Sequence, residues 1–476
     1  MNHIAIFREG DKDEPIDGYK ILPDGKPFKL GEWSETKGFV KTQKNKTTVV
    51  FVGFCTVAIE KEIISVFCLP KYFPREKCNL ENWREIQQHL KTICKVIERL
   101  RSKGKDFSFF SDENTFDTFS LNDSGSKVNR YELAEYLLED YLQNGLYVKV
   151  MSDSRKNGAG KTNWSKTVTK IQPLIQDGTP IYIDLIKKHY RIDDKDLISI
   201  IHANVLNLCI DFIGPLLYDR IDHIDTEFLG YDLSSFSSII NARSTYVFTE
   251  REINLYKALE AWCSTTKYYK NLAGVTCFNK IWEYVNDAVW GNIKHPESGN
   301  PTYHIGIIDY SGDGDAIPDT INIVKESDRA EENEVYIYDS KYYTVNFAGN
   351  TGIKGYPPNS DIVKQVAYLK LIKSQFIAAS FYNMFLMPEY FERVKPEEQD
   401  AFMIEDNKWF SVKGYARPGE FDLDLVNRPK TERSDSDEEK VGIVFVDPNK
   451  LYEMLLNNKT ATPEDIQETG TYLLKK

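Results

Sequence analysis

Histidine and cysteine are scarce in this 476-residue chain, with seven of each. The cysteines (Cys55, Cys68, Cys78, Cys94, Cys209, Cys263 and Cys277) lie far apart, and no Cys-x-x-Cys pair occurs. An odd, scattered set points to reduced thiols and away from a disulfide framework or a structural zinc site. No His-x-His or His-x-x-x-His occurs either, so any metal has to be held by oxygen. Long apolar runs are also missing: no window approaches the roughly 20 apolar residues of a membrane helix. Charge arrives too early at the N-terminus, at Arg8 and Glu9, for a secretory signal. The expectation is a cytoplasmic protein without membrane contact. Positive charge is in deficit, 60 Lys+Arg against 72 Asp+Glu for a net −12. That excludes a simple nucleic-acid coat, whose affinity comes from excess positive charge. An enzyme acting on DNA stays open, because net charge averages over patches.

What is present is apolar and aromatic surface. Hydrophobic residues make up 41% of the chain, with 28 Tyr and 26 Phe, enough to bury cores and to exclude a disordered chain. The length points to two or three domains. Residues 1–125 read as β-rich: the β-branched run from Thr47 to Glu60 and the run from Ile63 to Pro70 flank a charged turn, a hairpin signature. A helix is expected from Leu80 to Lys103, with Trp83, Ile86, Leu90, Ile93 and Ile97 on one face. The polar stretch 111–127 reads as a loop and boundary.

Residues 126–255 read as a central, largely helical region. Helices are expected from Tyr131 to Asn144, ended by Gly145, then from Asp194 to about Tyr218 and from Glu250 to Trp262. Residues 256–476 form the third expected domain. Its reading is a helix from Phe278 to Trp290, strands between Tyr303 and Tyr343 and a helix from Ser360 to Ala378. Strand-like Trp409–Ala416, an exposed run 429–440, a strand from Val441 to Asp447 and a short helix from Pro448 to Leu456 complete it.

The chemistry concentrates in Ile317-Pro-Asp319-Thr-Ile-Asn-Ile and, beyond a charged loop, Glu334-Val-Tyr-Ile-Tyr-Asp339-Ser-Lys341. On a strand Val335, Ile337, Asp339 and Lys341 share one face. Two apolar positions are then followed by a carboxylate and an ammonium, which a fold has little structural reason to bury unless they are compensated. A metal and a phosphate would compensate them. Hard cations such as Mg²⁺ take oxygen ligands, one or two of them protein carboxylates. Asp319 and Asp339 are the candidate ligands and Lys341 the residue that orients water and offsets developing charge. Glu283, on the Phe278 helix, is a candidate third carboxylate. Gln365, on the later helix, is a candidate contact to the metal-bound water or a phosphate. A second Pro-Asp copy, Asp24 with Glu35 and Lys37, lacks the apolar strand and is rejected. Asp309 to Asp315 resembles a calcium loop, but Thr320 stands where the distal Glu is required, so it reads as a turn.

The window resembles the PD-(D/E)xK nuclease superfamily, and its surroundings are narrower still. Asn144-Gly-Leu-Tyr, Lys156-Asn-Gly-Ala-Gly-Lys-Thr-Asn-Trp164-Ser-Lys166-Thr-Val, Pro173 and Pro180-Ile-Tyr182 resemble the central signature of LlaJI-type restriction endonucleases, relatives of McrC. Val50-Phe-Val-Gly and Leu69-Pro-Lys-Tyr are similar to the family's N-terminal strands. The family often has Glu where Lys161 stands here. The resemblance implies an α/β fold: a C-terminal PD-(D/E)xK core with a mixed sheet flanked by helices, a β-rich N-terminal domain and a helical middle. It also implies a Mg²⁺-dependent endonuclease, with Mn²⁺ as substitute, that cuts double-stranded DNA in a restriction system. The implied partner is a separate McrB-like AAA+ NTPase, and a homo-oligomer is compatible with the sequence. A nuclease of repair or recombination, and a non-catalytic DNA-binding or assembly subunit, are the alternatives.

The segment Lys149 to Lys170 carries six cations against one acid, Asp153. It reads as a basic loop with Lys156, Lys161 and Lys166 as candidate contacts to DNA phosphates. Its Gly158-Ala-Gly-Lys-Thr162 imitates a nucleotide-binding P-loop, but Arg155 occupies the position of the first glycine, and no helix start is evident after Thr162.

Overall fold

The strands Val52–Ile59 and Glu62–Leu69 form the expected antiparallel hairpin. In the computed structural model, which describes residues 2–23, 25–33, 36–59, 62–102, 130–193, 195–218, 220–230, 233–265, 272–293, 302–305, 308–311, 318–325, 329–347, 353–390, 409–418 and 440–474, two further long-range strands join it. Asn2–Arg8 pairs parallel to Glu62–Leu69, and Leu272–Val275 pairs antiparallel to Val52–Ile59. Gly53 lies opposite Gly274 in that pairing. A Cβ on Gly53 would stand 2.2 Å from the Ala273 carbonyl oxygen, so the glycine permits this close strand approach. The helix Trp83–Ser102 buries Ile86, Leu90, Ile93 and Ile97 of the stripe read from the sequence, and Trp83 at its start is half-buried.

The chain divides into two compact units: Met1–Glu113 with Leu272–Lys476, and Asn114–Asn271. The β-rich N-terminal segment and the C-terminal segment thus share one unit, and the middle is inserted between them.

In the first unit a second sheet runs in the order Thr320–Val324, Glu334–Ser340, Ser380–Pro388, Val441–Val446, Phe410–Ala416. The first pair is antiparallel, the next two pairs are parallel and the last is antiparallel. The helix Asn359–Gln375 connects the parallel strands Glu334–Ser340 and Ser380–Pro388, since parallel neighbours need a crossover. Leu369 and Ile372 from this helix pack on Ile321, Val335 and Ile337 of the sheet. From elsewhere, Trp290 packs on Tyr338, and the Tyr338 hydroxyl lies 3.2 Å from Thr469 Oγ1 on the helix Pro463–Leu474. Six of the seven residues of Glu334–Ser340 are buried, as in a strand covered on both faces. The helices Phe278–Trp290 and Pro448–Leu456 stand where the sequence places them. The run 429–440 lies outside the described residues except Lys440, which is buried.

The second unit holds the helices Arg130–Asn144, Leu197–Leu217 and Glu250–Thr265. Leu197–Leu217 corrects one expectation: by length and composition it could cross a membrane, although two thirds of its most apolar window is buried in the structure. The basic loop is also corrected. Val150–Lys156 is a strand, paired with Ile186–Ile192, which also pairs with Lys161–Thr162. A helix follows at Trp164–Lys170, capped by the Asn163 side chain, which accepts from the Lys166 amide at 3.1 Å.

Candidate active site

Register brings the two aspartates together. Thr320 pairs with Tyr338 in the antiparallel ladder, so Asp319, one residue earlier, faces Asp339, one residue later. Asp319 Oδ2 accepts a hydrogen bond from the Ser340 amide at 2.8 Å, which fixes the carboxylate beside the end of the neighbouring strand. Asp339 is 2% exposed. Burial, and then the charge of Asp339 and a hydrogen bond to it, push the Asp319 carboxyl up to about 8. Glu283 adds to this in the same direction from the Phe278–Trp290 helix.

Lys341 follows the strand directly, and its amide donates to the Leu386 carbonyl at 2.9 Å, extending the parallel ladder by one residue. Its ammonium stands 2.7 Å from Asp339 Oδ2 and 3.7 Å from Asp361 Oδ2. Burial works against the ammonium charge, but Asp339, Asp361 and Asp319 outweigh it and hold the lysine above its ordinary value. Asp361 carries no signal of this role in the sequence. It sits in the first turn of the Asn359–Gln375 helix and accepts from the Tyr343 hydroxyl at 3.0 Å. Twenty residues separate it from Lys341, and only the crossover folds it back.

The other candidates are placed differently. Glu283 is held by Lys280 at 2.9 Å, and its charge reaches Asp319. Gln365 is fully buried. Its amide nitrogen donates to Asn383 Oδ1 at 2.7 Å and, at longer range, to the carbonyls of Ile337 and Met384, so it ties together the two parallel strands. Asp24, Glu35 and Asp315 lie outside the described residues. The backbone at Asp309 belongs to a short strand, Ile308–Ser311, rather than a turn.

Among the described residues no three His, Cys, Asp or Glu side chains form a ready-made metal cluster. The abutting pair Asp319 and Asp339 still suits a hard divalent cation. Its donors are oxygens, and the burial and neighbouring charge that disfavour the ionised form of Asp319 are what a bound cation would offset.

The central signature has structural tasks in the second unit. Asn157, at φ 52°, closes the turn by accepting from the Leu185 amide at 2.8 Å. A Cβ on Gly160 would stand 2.0 Å from the Lys188 carbonyl oxygen, so this glycine serves strand approach. Thr167 Oγ1 accepts from the Ile186 amide at 3.0 Å. Lys161 and Thr162 lie in the sheet, which leaves them no phosphate-cradling loop. Two like-charged pairs oppose each other across the strands, Lys161 with Lys188 and Arg155 with Lys187. Lys156 pairs with Asp184 at 2.7 Å, and Lys166 donates to Ser154 Oγ at 3.0 Å.

A component of a Type II restriction enzyme from Bacillus subtilis (strain 168), BsuMI component YdjA, is 25% identical over 413 residues, 84% of this chain and 80% of the relative. The profile of the LlaJI restriction endonucleases matches residues 51–410. The chain belongs to the LlaJI restriction endonuclease family.

Proposed function

We propose that this chain is the nuclease subunit of a restriction system, hydrolysing phosphodiesters of double-stranded DNA with Mg²⁺, or Mn²⁺ in its place. One observation carries the reading: two carboxylates, Asp319 and Asp339, abut at the end of buried strands with the Lys341 ammonium 2.7 Å from the second. Asp319 and Asp339 would hold the cation, with Glu283 contributing negative charge behind them. When bound, the metal would lower the pKa of a coordinated water and stabilise charge on the phosphoryl oxygens. Lys341, kept charged by its three acidic neighbours, orients a water and offsets charge developing on the phosphate. Gln365 acts by holding the strand that presents Asp339, through its bonds to Ile337 and Met384.

The second unit supports phosphate contact. Like charges directly opposite on neighbouring strands destabilise a sheet, and Lys161 with Lys188 is such a pair. A DNA backbone beside Lys161 would relieve that pair, with Lys156, which is paired with Asp184, and Lys166 as the further candidate contacts. Because Lys161 and Thr162 are sheet residues rather than a P-loop, energy from nucleotide hydrolysis would come from a separate McrB-like AAA+ partner. The relative's designation as a component of an enzyme is in keeping with a multi-subunit system.

Titration with Mn²⁺, followed by calorimetry on the purified chain, tests the site. The expected result is a cation site lost on Asp339→Asn, together with plasmid cleavage in the presence of the partner. Absence of any cation site in the unmodified chain would favour the non-catalytic DNA-binding or assembly role.

A further inference from the structure

The residue after Lys341 is fastened to the N-terminal segment of the same unit. Tyr342 is 7% exposed, and its hydroxyl donates to Glu9 Oε2 at 2.6 Å. Glu9 follows the strand Asn2–Arg8, 333 residues away in sequence. The Lys71 amide donates at 3.3 Å to the Tyr342 hydroxyl oxygen and at 3.4 Å to the same Glu9 oxygen. The Lys71 ammonium lies 4.2 Å from the centre of the Tyr342 ring, and the Lys71 carbonyl accepts from Thr344 Oγ1 at 3.4 Å. The Tyr342 ring also packs on Phe278, the first residue of the helix that carries Glu283, with ring centres 5.5 Å apart.

From this geometry we infer that Glu9, Tyr342 and Lys71 form a clamp through which the N-terminal sheet positions Lys341. The strand ends at Ser340, and beyond it Lys341 keeps two backbone bonds: its amide donates to Leu386, and its carbonyl accepts from the Tyr343 amide at 2.9 Å in a local turn around Tyr342. Without a fixed Tyr342 the lysine would sit at a fraying strand end, whose groups open at low free energy. A side chain that must remain 2.7 Å from Asp339 needs its neighbours locked by packing and hydrogen bonds. The Leu69-Pro-Lys-Tyr segment then has a role: it presents the Lys71 amide to the clamp, while Tyr72 anchors it through a 2.8 Å bond to the Tyr452 hydroxyl. Glu9, Tyr342 and Lys71 are positioning residues, and their catalytic consequence rests on the nuclease reading above, although the clamp itself does not.

Two measurements on the 476-residue chain separate the clamp from that reading. The first is the rate at which acetic anhydride labels Lys341, read by mass spectrometry against Lys280 and Lys364 in the same sample. Tyr342→Phe, which removes only the hydroxyl, and Glu9→Ala should raise Lys341 labelling several-fold while leaving the reference lysines unchanged. Glu9→Gln, which keeps an acceptor, should restore the slow rate. Unchanged Lys341 labelling in Tyr342→Phe, or Glu9→Gln behaving as Glu9→Ala, overturns the clamp. The second is DNA cleavage with Mg²⁺ and partner, where Tyr342→Phe should lower kcat about tenfold at unchanged KM. Altered labelling in a protein that cleaves nothing in any form upholds the clamp and overturns the nuclease reading.

Discussion

The Lys341 ammonium lies between two carboxylates, 2.7 Å from Asp339 and 3.7 Å from Asp361. Its side chain is 14% exposed and that of Asp339 is 3% exposed, so this is a desolvated pair rather than a surface one. Removing either member leaves a buried charge with reduced compensation, and such pairs are costly to break from one side. Asp361 softens the loss on one side only: it can keep Lys341 company when Asp339 is gone, whereas no second cation stands equally close to Asp339 among the described residues.

Asp339→Asn should therefore abolish cleavage and also lower stability by roughly 1–3 kcal/mol. Lys341→Met should destabilise more, because it strands Asp339 beside Asp319. Urea unfolding of both variants checks the order, and equal or reversed losses would contradict the picture of Asp361 as a reserve partner.

Metal binding should depend on pH through Asp319. Its carboxyl is pushed up to about 8 by burial and by Asp339, so protons compete with the cation below that value. Apparent Mg²⁺ affinity should rise about tenfold per pH unit up to about pH 8 and flatten above it. Calorimetric titrations between pH 6 and 9 read this directly, and a flat profile would detach Asp319 from the site.

The same shift has a stability consequence without metal. The unfolded chain releases the Asp319 proton near 3.8, whereas the folded chain keeps it to about 8. Between these values the folded state binds more protons, so stability falls as pH rises across that window and is lowest above it. Asp319→Asn removes this slope. Its Tm should exceed that of the unmodified chain at pH 8, match it near pH 4, and no longer respond to Mg²⁺. A lower Tm at pH 8 would contradict burial and Asp339 as the forces acting on this carboxyl.

In the second unit, replacing Lys156, Lys161 and Lys166 together by alanine should weaken DNA association about equally on all sequences. The log–log salt slope should become shallower by about 0.9 for each phosphate that the variant no longer neutralises. If the slope is unchanged and the variant instead fails to co-purify with the NTPase partner, the face serves protein docking.

Much of the local structure is legible in the sequence. The helix stripe Ile86, Leu90, Ile93 and Ile97 and the shared face of Val335, Ile337 and Asp339 follow from the backbone periods of 3.6 and 2. The strand Ser380–Pro388 is not legible in this way, although it pairs with the strand that carries Asp339. Seven of its nine residues are buried, so its run Tyr382-Asn-Met-Phe-Leu-Met has no alternation to announce it. The short strands of the second unit are hidden for the opposite reason: Val150–Lys156 is mostly exposed and polar, and such segments imitate loops. Glu9 looks only like an early charge in the N-terminus, and Asp361 only like the start of a helix.

The sequence by itself determined which groups could do chemistry here. With dispersed His and Cys, it left oxygen ligands, and its period-two pattern set Asp339 on the face of Val335 and Ile337. Tertiary structure decided which groups meet. The Thr320–Tyr338 register brings Asp319 against Asp339, the crossover helix returns Asp361 to Lys341, and the N-terminal sheet brings Glu9 to Tyr342. The physical reason is one of range: periodicity acts over a few residues of backbone. Proximity across 20 or 333 residues depends on strand pairing and packing, which the whole unit must satisfy at once.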